Sequence, residues 1–438
     1  MLKNGLSFVV IQRLWQGFAG LLTVLVIGLT LTQEQQGWYY TFLSIAALYS
    51  VFEMGLTTAL IQVTAHMFVK LRWLSKGRVT GDVSAVFRSF FSQAVKVYAF
   101  FSLVFLLISF VVGFNVFNHK TTQGVQVIWI LPWCFLVVFT AINMLTLPFL
   151  AVVEGSGEIA EVYKVKLFQG VLGAIGCWVV LSLGGWLWAT IVMPLCGVLV
   201  TVTWLLRNRI YLLRGLVSSN IDASFNWRHD VLPLQWRVGL NWISVFLMSQ
   251  LATPILFYYQ DPVVAGQMGL SLTIANMISI VAQSWIAHRV PILSQAVARK
   301  EWRVFDQLFR KDFSYSLMVF FAGAFSVLSV HYWVSNTSYY GRVLPFWPFV
   351  GLLVFILFYH ICSVLSSHLR SFKREPLAWV SLVGALLILP GAIYTAKHFS
   401  VNEVVLVMVS VEALIVFPLS FLLWRKYNKN WRLTSGES

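Results

Sequence analysis

A few ionisable side chains of this chain sit inside long apolar runs, and their depth limits the chemistry open to each. Arg13 and Lys96 fall about two turns into the first and third runs. Glu53 lies near the centre of the second run, and Glu412 midway along the last. A charge at the middle of a bilayer costs about 2.5–3.5 kcal/mol on insertion scales, so it is by default functional and paired. Arg13 and Lys96 are shallow enough to snorkel to phosphate headgroups. Glu53 is too deep for that; it must pair with a cation, be neutral, or line a wet cavity.

Gathered around Glu53, the cations Arg13, Lys96 and Arg289 would make a cationic cavity. Arg grips phosphate oxygens bidentately and Lys acts as a point charge, so such a cavity suits an anionic, phosphate-bearing group. Gln62, Gln283, Asn241 and Gln250 extend this binding set with hydrogen-bonding groups, and Gln12, Gln16, Asn143 and Asn276 also lie in apolar runs. An interhelical hydrogen bond, worth about 0.6–2 kcal/mol in membranes, accounts for any one of them as well. Their concentration in the first, second, seventh and eighth runs is the stronger signal. Glu53 and Glu412 are the candidates for coupling to an H+ or Na+ gradient. His331 and His360 lie in or near the ends of the ninth and tenth runs. Cys-x-x-Cys, His-Glu-x-x-His, the P-loop and the glycine-rich dinucleotide turn are all missing. No enzyme, organic cofactor or metal is expected.

The elements that must position these residues follow from composition. Hydrophobic residues make up 59% of the 438 and charged residues 11%. The pattern predicts an all-α polytopic membrane protein with twelve spanning helices, near 5–31, 38–64, 90–113, 125–152, 163–182, 186–206, 238–258, 266–287, 314–334, 344–368, 377–396 and 403–424. The longest connection, 207–237, separates an N-terminal six-helix bundle, 1–206, from a C-terminal one, 238–424, with a tail at 425–438. The first run reads as an uncleaved helix, and the four cysteines, all in apolar runs, read as small hydrophobes. Placing the N-terminus inside puts 26 cations on the cytoplasmic side and only Lys120, Arg342 and Lys397 on the other. By the positive-inside rule both termini are then cytoplasmic, and most of the +15 charge is topology rather than an affinity for nucleic acid.

An offset of 222 relates the two halves: Ala65-His66 matches Ala287-His288, Leu71 matches Leu293, Phe87-Arg88 matches Phe309-Arg310, and Phe91-Ser92 matches Phe313-Ser314. Six spans per half give both halves one orientation, as in parallel transporter repeats arranged around a central cavity. Trp302, Phe305, Leu308 and Phe309 recur at helical spacing with cations opposite, and Val83, Val86, Phe87 and Phe90 do so less strongly. Both patterns predict helices lying in the headgroup layer. Trp38, Trp73, Trp129, Trp186, Trp347 and Trp424, near helix ends, read as interface anchors. Glu158, Glu161 and Lys164 fall at helix-entry spacing after the turn residues of Glu154-Gly155-Ser156-Gly157.

The segment Gln36-Gly37-Trp38-Tyr39-Tyr40, followed by Glu53-Met54-Gly55-Leu56-Thr57-Thr58-Ala59-Leu60, resembles the second transmembrane helix of Wzx-type polysaccharide and O-antigen flippases. These belong to the multidrug/oligosaccharidyl-lipid/polysaccharide exporter (MOP) superfamily. Trp285 with Pro291-Ile292-Leu293-Ser294 resembles the step after their eighth helix. The resemblance implies a substrate of undecaprenyl-diphosphate-linked oligosaccharide, moved across a bacterial inner membrane by alternating access for surface polysaccharide synthesis. Membrane lipids, a polymerase and chain-length proteins would be its partners. The chain departs from the commoner pattern in having Glu at position 53 where Asp is usual, and Glu412 has no family role. Two rivals stand beside it. An ion-coupled multidrug exporter of the same superfamily would line its cavities with acids. A membrane-embedded polymerase or ligase would need a large periplasmic loop, whereas the longest here is about a dozen residues near 114–124.

Overall fold

The computed structural model describes residues 2–121, 127–217, 225–227, 232–287, 289–334, 340–372 and 376–434. The chain is built from helices because a bilayer offers backbone N–H and C=O groups no water, and a helix satisfies them within one segment. In order these are α1 (Leu2–Thr30), α2 (Gln33–Ala46), α3 (Tyr49–Glu53) and α4 (Leu56–Met67), then a small hairpin of β1 (Leu71–Trp73) and β2 (Val79–Gly81). Next come α5 (Ser84–Thr121), α6 (Ile130–Gly155), α7 (Ile159–Ser182), α8 (Ala189–Asn208) and α9 (Ile210–Val217). The second half has α10 (Leu232–Ser249), α11 (Ala252–Tyr259), α12 (Pro262–Ala287), α13 (Val290–Ala298), α14 (Trp302–Val334), α15 (Phe346–Arg370), α16 (Ala378–His398), α17 (Val401–Val411) and α18 (Phe417–Thr434). Twelve stretches are long and apolar enough to cross a membrane, one for each expected span.

The chain forms two compact units. One holds Met1–Gln35 and Phe42–Trp242; the other holds Gln36–Thr41 and Ile243–Ser438. In the first, α7 packs between α1 and α8, and α6 between α5 and α8. Its core gathers Leu60, Phe87, Phe90, Tyr98, Val152 and Trp204. In the second, α12 packs on α14 and α15, and α16 on α17. The six residues Gln36–Thr41 belong here through side-chain detail. The Gln36 amide donates to the carbonyls of Gly266 (2.9 Å) and Arg342 (2.8 Å). A Cβ on Gly37 would collide with the Pro262 carbonyl, so only glycine allows that approach.

Three expectations change. The amphipathic stretches near Phe87 and Trp302 do not form separate helices. They are the first turns of α5 and α14, which at 38 and 33 residues run beyond the roughly 20 needed to span. Phe87, Phe90, Phe305 and Phe309 are buried, so the apolar faces cover neighbouring helices. Trp38 and Trp129 are buried too, Trp38 edge-on to Phe257, and only Trp347 of that set is well exposed. Finally, α5 continues to Thr121, so its cation Lys120 is a buried helical residue. Arg228, Lys373 and Arg374 lie outside the described residues.

Lys397 and Arg303 are both exposed and so are the useful probes of orientation. In a cysteine-free background, a cysteine at 397 is expected to react with an impermeant maleimide added to intact spheroplasts, and one at 303 only after lysis. The opposite pattern reverses the topology.

Candidate functional site

Each of the two carboxylates stands where its spanning helix departs from α geometry. In the second span α3 ends at Glu53, Met54 and Gly55 take left-handed backbone (φ 45° and 70°), and α4 restarts at Leu56. That break frees amides in the membrane, and Glu53 recovers them. Its Oε2 accepts from Gly55 N–H (3.0 Å) and its Oε1 from Thr57 N–H (2.7 Å). The Tyr98 hydroxyl donates to Oε1 at 3.3 Å and receives a hydrogen bond from Thr57 at 2.9 Å. Hydrogen bonds to a charged group contribute about 1.5–3 kcal/mol each, and the N-terminal dipole of α4 adds to them. Together these match the insertion cost. Glu53 is thus half-buried and capped, a solution beyond the cation, neutral acid or wet cavity that its depth implied. The signal was present in the sequence as Gly55, two residues on, where a left-handed turn is cheapest.

The second departure is in the last span. Glu412–Val416 forms a π turn between α17 and α18, closed by Phe417 N–H to the Glu412 carbonyl. Pro418 is the physical reason: it lacks the N–H that would bond Leu414, and its ring would crowd that carbonyl in an α turn. Glu412 is fully buried, and among the described residues neither of its oxygens accepts an N–H or O–H hydrogen bond. Cys362 and Tyr359 of α15 are the titratable side chains that feel it. No described Lys or Arg pairs with it.

The remaining residues of the expected binding set belong partly to the first unit and partly to the second. Arg13, Lys96 and Gln62 are exposed on helix surfaces, and neither cation forms an ion pair with Glu53 among the described residues. Arg289 lies in the second unit, where its Nε is 3.4 Å from the carboxylate of the buried Asp312. Among the described residues no cation pairs with Glu53, whose oxygens are taken by backbone amides and Tyr98, and the carboxylate beside Arg289 is that of Asp312. Gln283, Asn241 and Gln250 are half-buried. His360 is structural: Ser316 spends its proton on the Ala282 carbonyl (2.8 Å), so His360 Nε2 donates to Ser316 (2.8 Å) and Nδ1 accepts from Ser279 (3.3 Å). His331 bonds the Leu344 carbonyl at 3.0 Å.

Sequence reasoning missed one polar cluster. Arg209, at the end of α8, binds both Glu158 and Glu161 and lies over the Trp73 ring at 4.8 Å. Trp204 donates to Glu161 at 2.8 Å, and Trp73 to Ser156 at 2.8 Å. Burial, with Glu161 hydrogen-bonded beside it, pushes the Glu158 carboxyl above the usual range. The acids read as dipole partners of α7 do start that helix, but they also clamp the hairpin and the end of α8 to it.

Against solved structures the fold matches along its whole length. An inward-facing multidrug resistance MATE family transporter of the MOP superfamily aligns with a TM-score of 0.60 at 11% identity, covering 97% of this chain and 96% of that one. A MATE structure in the straight conformation gives 0.56 at 13%, covering 97% and 94%. A Vibrio cholerae MATE transporter gives 0.53 at 11%, covering 98% and 97%. At such identities the likeness is one of fold: this chain has the fold seen in those MATE transporter structures. No family model and no curated protein matches the sequence.

Glu53→Ala is expected to lower stability by about 1–2 kcal/mol, the usual cost of a lost cap, while Glu53→Gln keeps one acceptor and loses less. Thermal unfolding of the purified variants in detergent measures both. Equal melting temperatures for Ala and wild type would remove the capping role.

Proposed function

We propose that this chain is a secondary transporter that exports amphipathic organic molecules by alternating access, coupled to a proton gradient. The whole-length likeness to an inward-facing multidrug transporter is the observation that carries this reading. The diphosphate site of the flippase reading rested on cations gathered at Glu53, and among the described residues none of Arg13, Lys96 and Arg289 pairs with it. Glu412 is the proposed coupling group. An unpaired carboxyl in an apolar setting is stable there with its proton on, and it can release that proton only when water reaches it. Its neighbours supply a thiol rather than the ring of oxygens that Na+ would need, so the ion is H+. The π turn beneath it gives the helix a place to change register.

A second reading keeps the flippase. The segment 36–62 and the 26-to-3 excess of cations on one face favour a lipid-linked, diphosphate-bearing oligosaccharide as substrate. The setting would then be a bacterial inner membrane, both termini cytoplasmic, with polysaccharide polymerase and chain-length proteins as partners.

One reconstitution separates them. Proteoliposomes carrying an imposed pH gradient are given either a fluorescent organic cation or a short-chain polyprenyl-diphosphate oligosaccharide. Gradient-dependent movement of the cation, abolished in Glu412→Gln at unchanged protein level, is expected. Movement of the lipid-linked sugar alone transfers the assignment to the flippase. Movement of neither overturns both.

A further inference from the structure

A concave groove of about 980 Å³ lies in the first unit between α1, α7 and α8. Its two long walls are single helical stripes: Lys164, Phe168 and Leu172 on α7, and Leu199 and Arg207 on α8. The two helices follow one another in the sequence and run antiparallel, which brings Lys164 level with Arg207 and Leu172 level with Leu199. The groove therefore has a cationic end and an apolar end, separated by about 12 Å along α7. Its volume is at the upper limit of the 300–1,000 Å³ usual for small-molecule sites.

Apolar walls alone would say only that this surface meets lipid, and Phe168, Leu172 and Leu199 are indeed about half exposed. The charge makes the groove selective. The lining carboxylate, Glu161, is already engaged by Trp204 and Arg209. Lys164 and Arg207 are exposed, and neither forms an ion pair among the described residues. Two available cations stand at the membrane-surface end of a hydrophobic slot, and basic pockets between spanning helices bind anionic headgroups.

We propose that this groove is a binding site for an anionic glycerophospholipid, its phosphate held by Lys164 and Arg207 and an acyl chain laid along Phe168, Leu172 and Leu199. Arg207 supplies the bidentate fork and Lys164 the second charge. The site is independent of which substrate the protein carries. The acyl chain distinguishes this ligand from free phosphate, since Phe168, Leu172 and Leu199 below the cations offer it apolar walls.

The test uses the purified full-length protein in mild detergent, with phosphatidylglycerol and phosphatidylcholine of matched chains as probes and native mass spectrometry as readout. Wild type is expected to retain phosphatidylglycerol in preference to phosphatidylcholine. Lys164→Gln with Arg207→Gln should weaken that retention about 30-fold, given the worth of two interfacial cations. Lys96→Gln, an exposed cation outside the groove, should leave it unchanged. Leu172→Trp fills the slot with both cations intact and should also lower retention. Equal retention of the two lipids by wild type, loss of selectivity in Lys96→Gln to the same degree, or full retention by both groove variants overturns the proposal. So does release of the bound lipid by inorganic phosphate at concentrations that leave ionic strength matched.

Discussion

Inside the hydrocarbon of a bilayer no backbone amide can borrow water, so a spanning helix can break only where something else supplies the missing hydrogen bonds. Two spans of this protein depart from regular α geometry at a carboxylate, and they solve the problem in opposite ways. At Glu53 the side chain repairs the break, taking two freed amides and a tyrosine hydroxyl. At Glu412 the backbone repairs itself through a π turn, and the side chain is left over. Capping makes the first carboxylate a part of the scaffold. The second is buried in an apolar setting with the Cys362 thiol beside it, and an ionisable residue so placed inside a span is by default a functional candidate.

The same economy shapes the end of the first unit where α8 stops. Arg209 is buried, which is tolerable because two carboxylates and the face of Trp73 surround it. Removing one partner from such a cluster leaves a buried charge uncompensated, a loss of about 3–5 kcal/mol where burial is complete. The cluster ties together three pieces distant in sequence: the β hairpin, the start of α7 and the end of α8. It also occupies the acids beside Lys164 and Arg207, so these two cations remain available at the surface.

Much of this was legible in the chain itself. The twelve apolar runs each became a spanning helix, since length and hydropathy are what a bilayer reads. Glu53 and Glu412 also stand out in the sequence, as carboxylates within apolar runs. What hydropathy could not show was the backbone beneath them, because Met54-Gly55 and Pro418 are apolar or neutral and leave no mark in a sliding window. Amphipathic periodicity was also ambiguous. The stripe through Trp302, Phe305 and Phe309 fits a helix on a membrane as well as a helix on another helix, and only the buried partners His368 and Phe372 decide. Spatial gathering was the least legible feature. For Arg13, Lys96 and Arg289 the sequence offered only a place near the ends of apolar runs, which does not say what each side chain meets.

The internal repeat shows how function was added to a duplicated frame. In the register that relates the halves, the identities Leu71 and Leu293, and Phe87 and Phe309, are buried at both positions, so the core of the turn region has been kept. The elements between them have not: one half inserts a β hairpin, the other the helix α13. The charged residues have diverged as well. Arg289 and Asp312 correspond to Met67 and Phe90, an ion pair in one half against an apolar pair in the other. Exchanges of that kind cost little stability when the hydrophobic pair packs well. Glu53 corresponds to Ala275, which is buried in the unbroken helix α12. The break, its carboxylate and its capping tyrosine therefore belong to the first half alone. The two halves thus carry different polar chemistry, and their carboxylates Glu53 and Glu412 sit in unlike surroundings, one capped by backbone and one buried in an apolar setting.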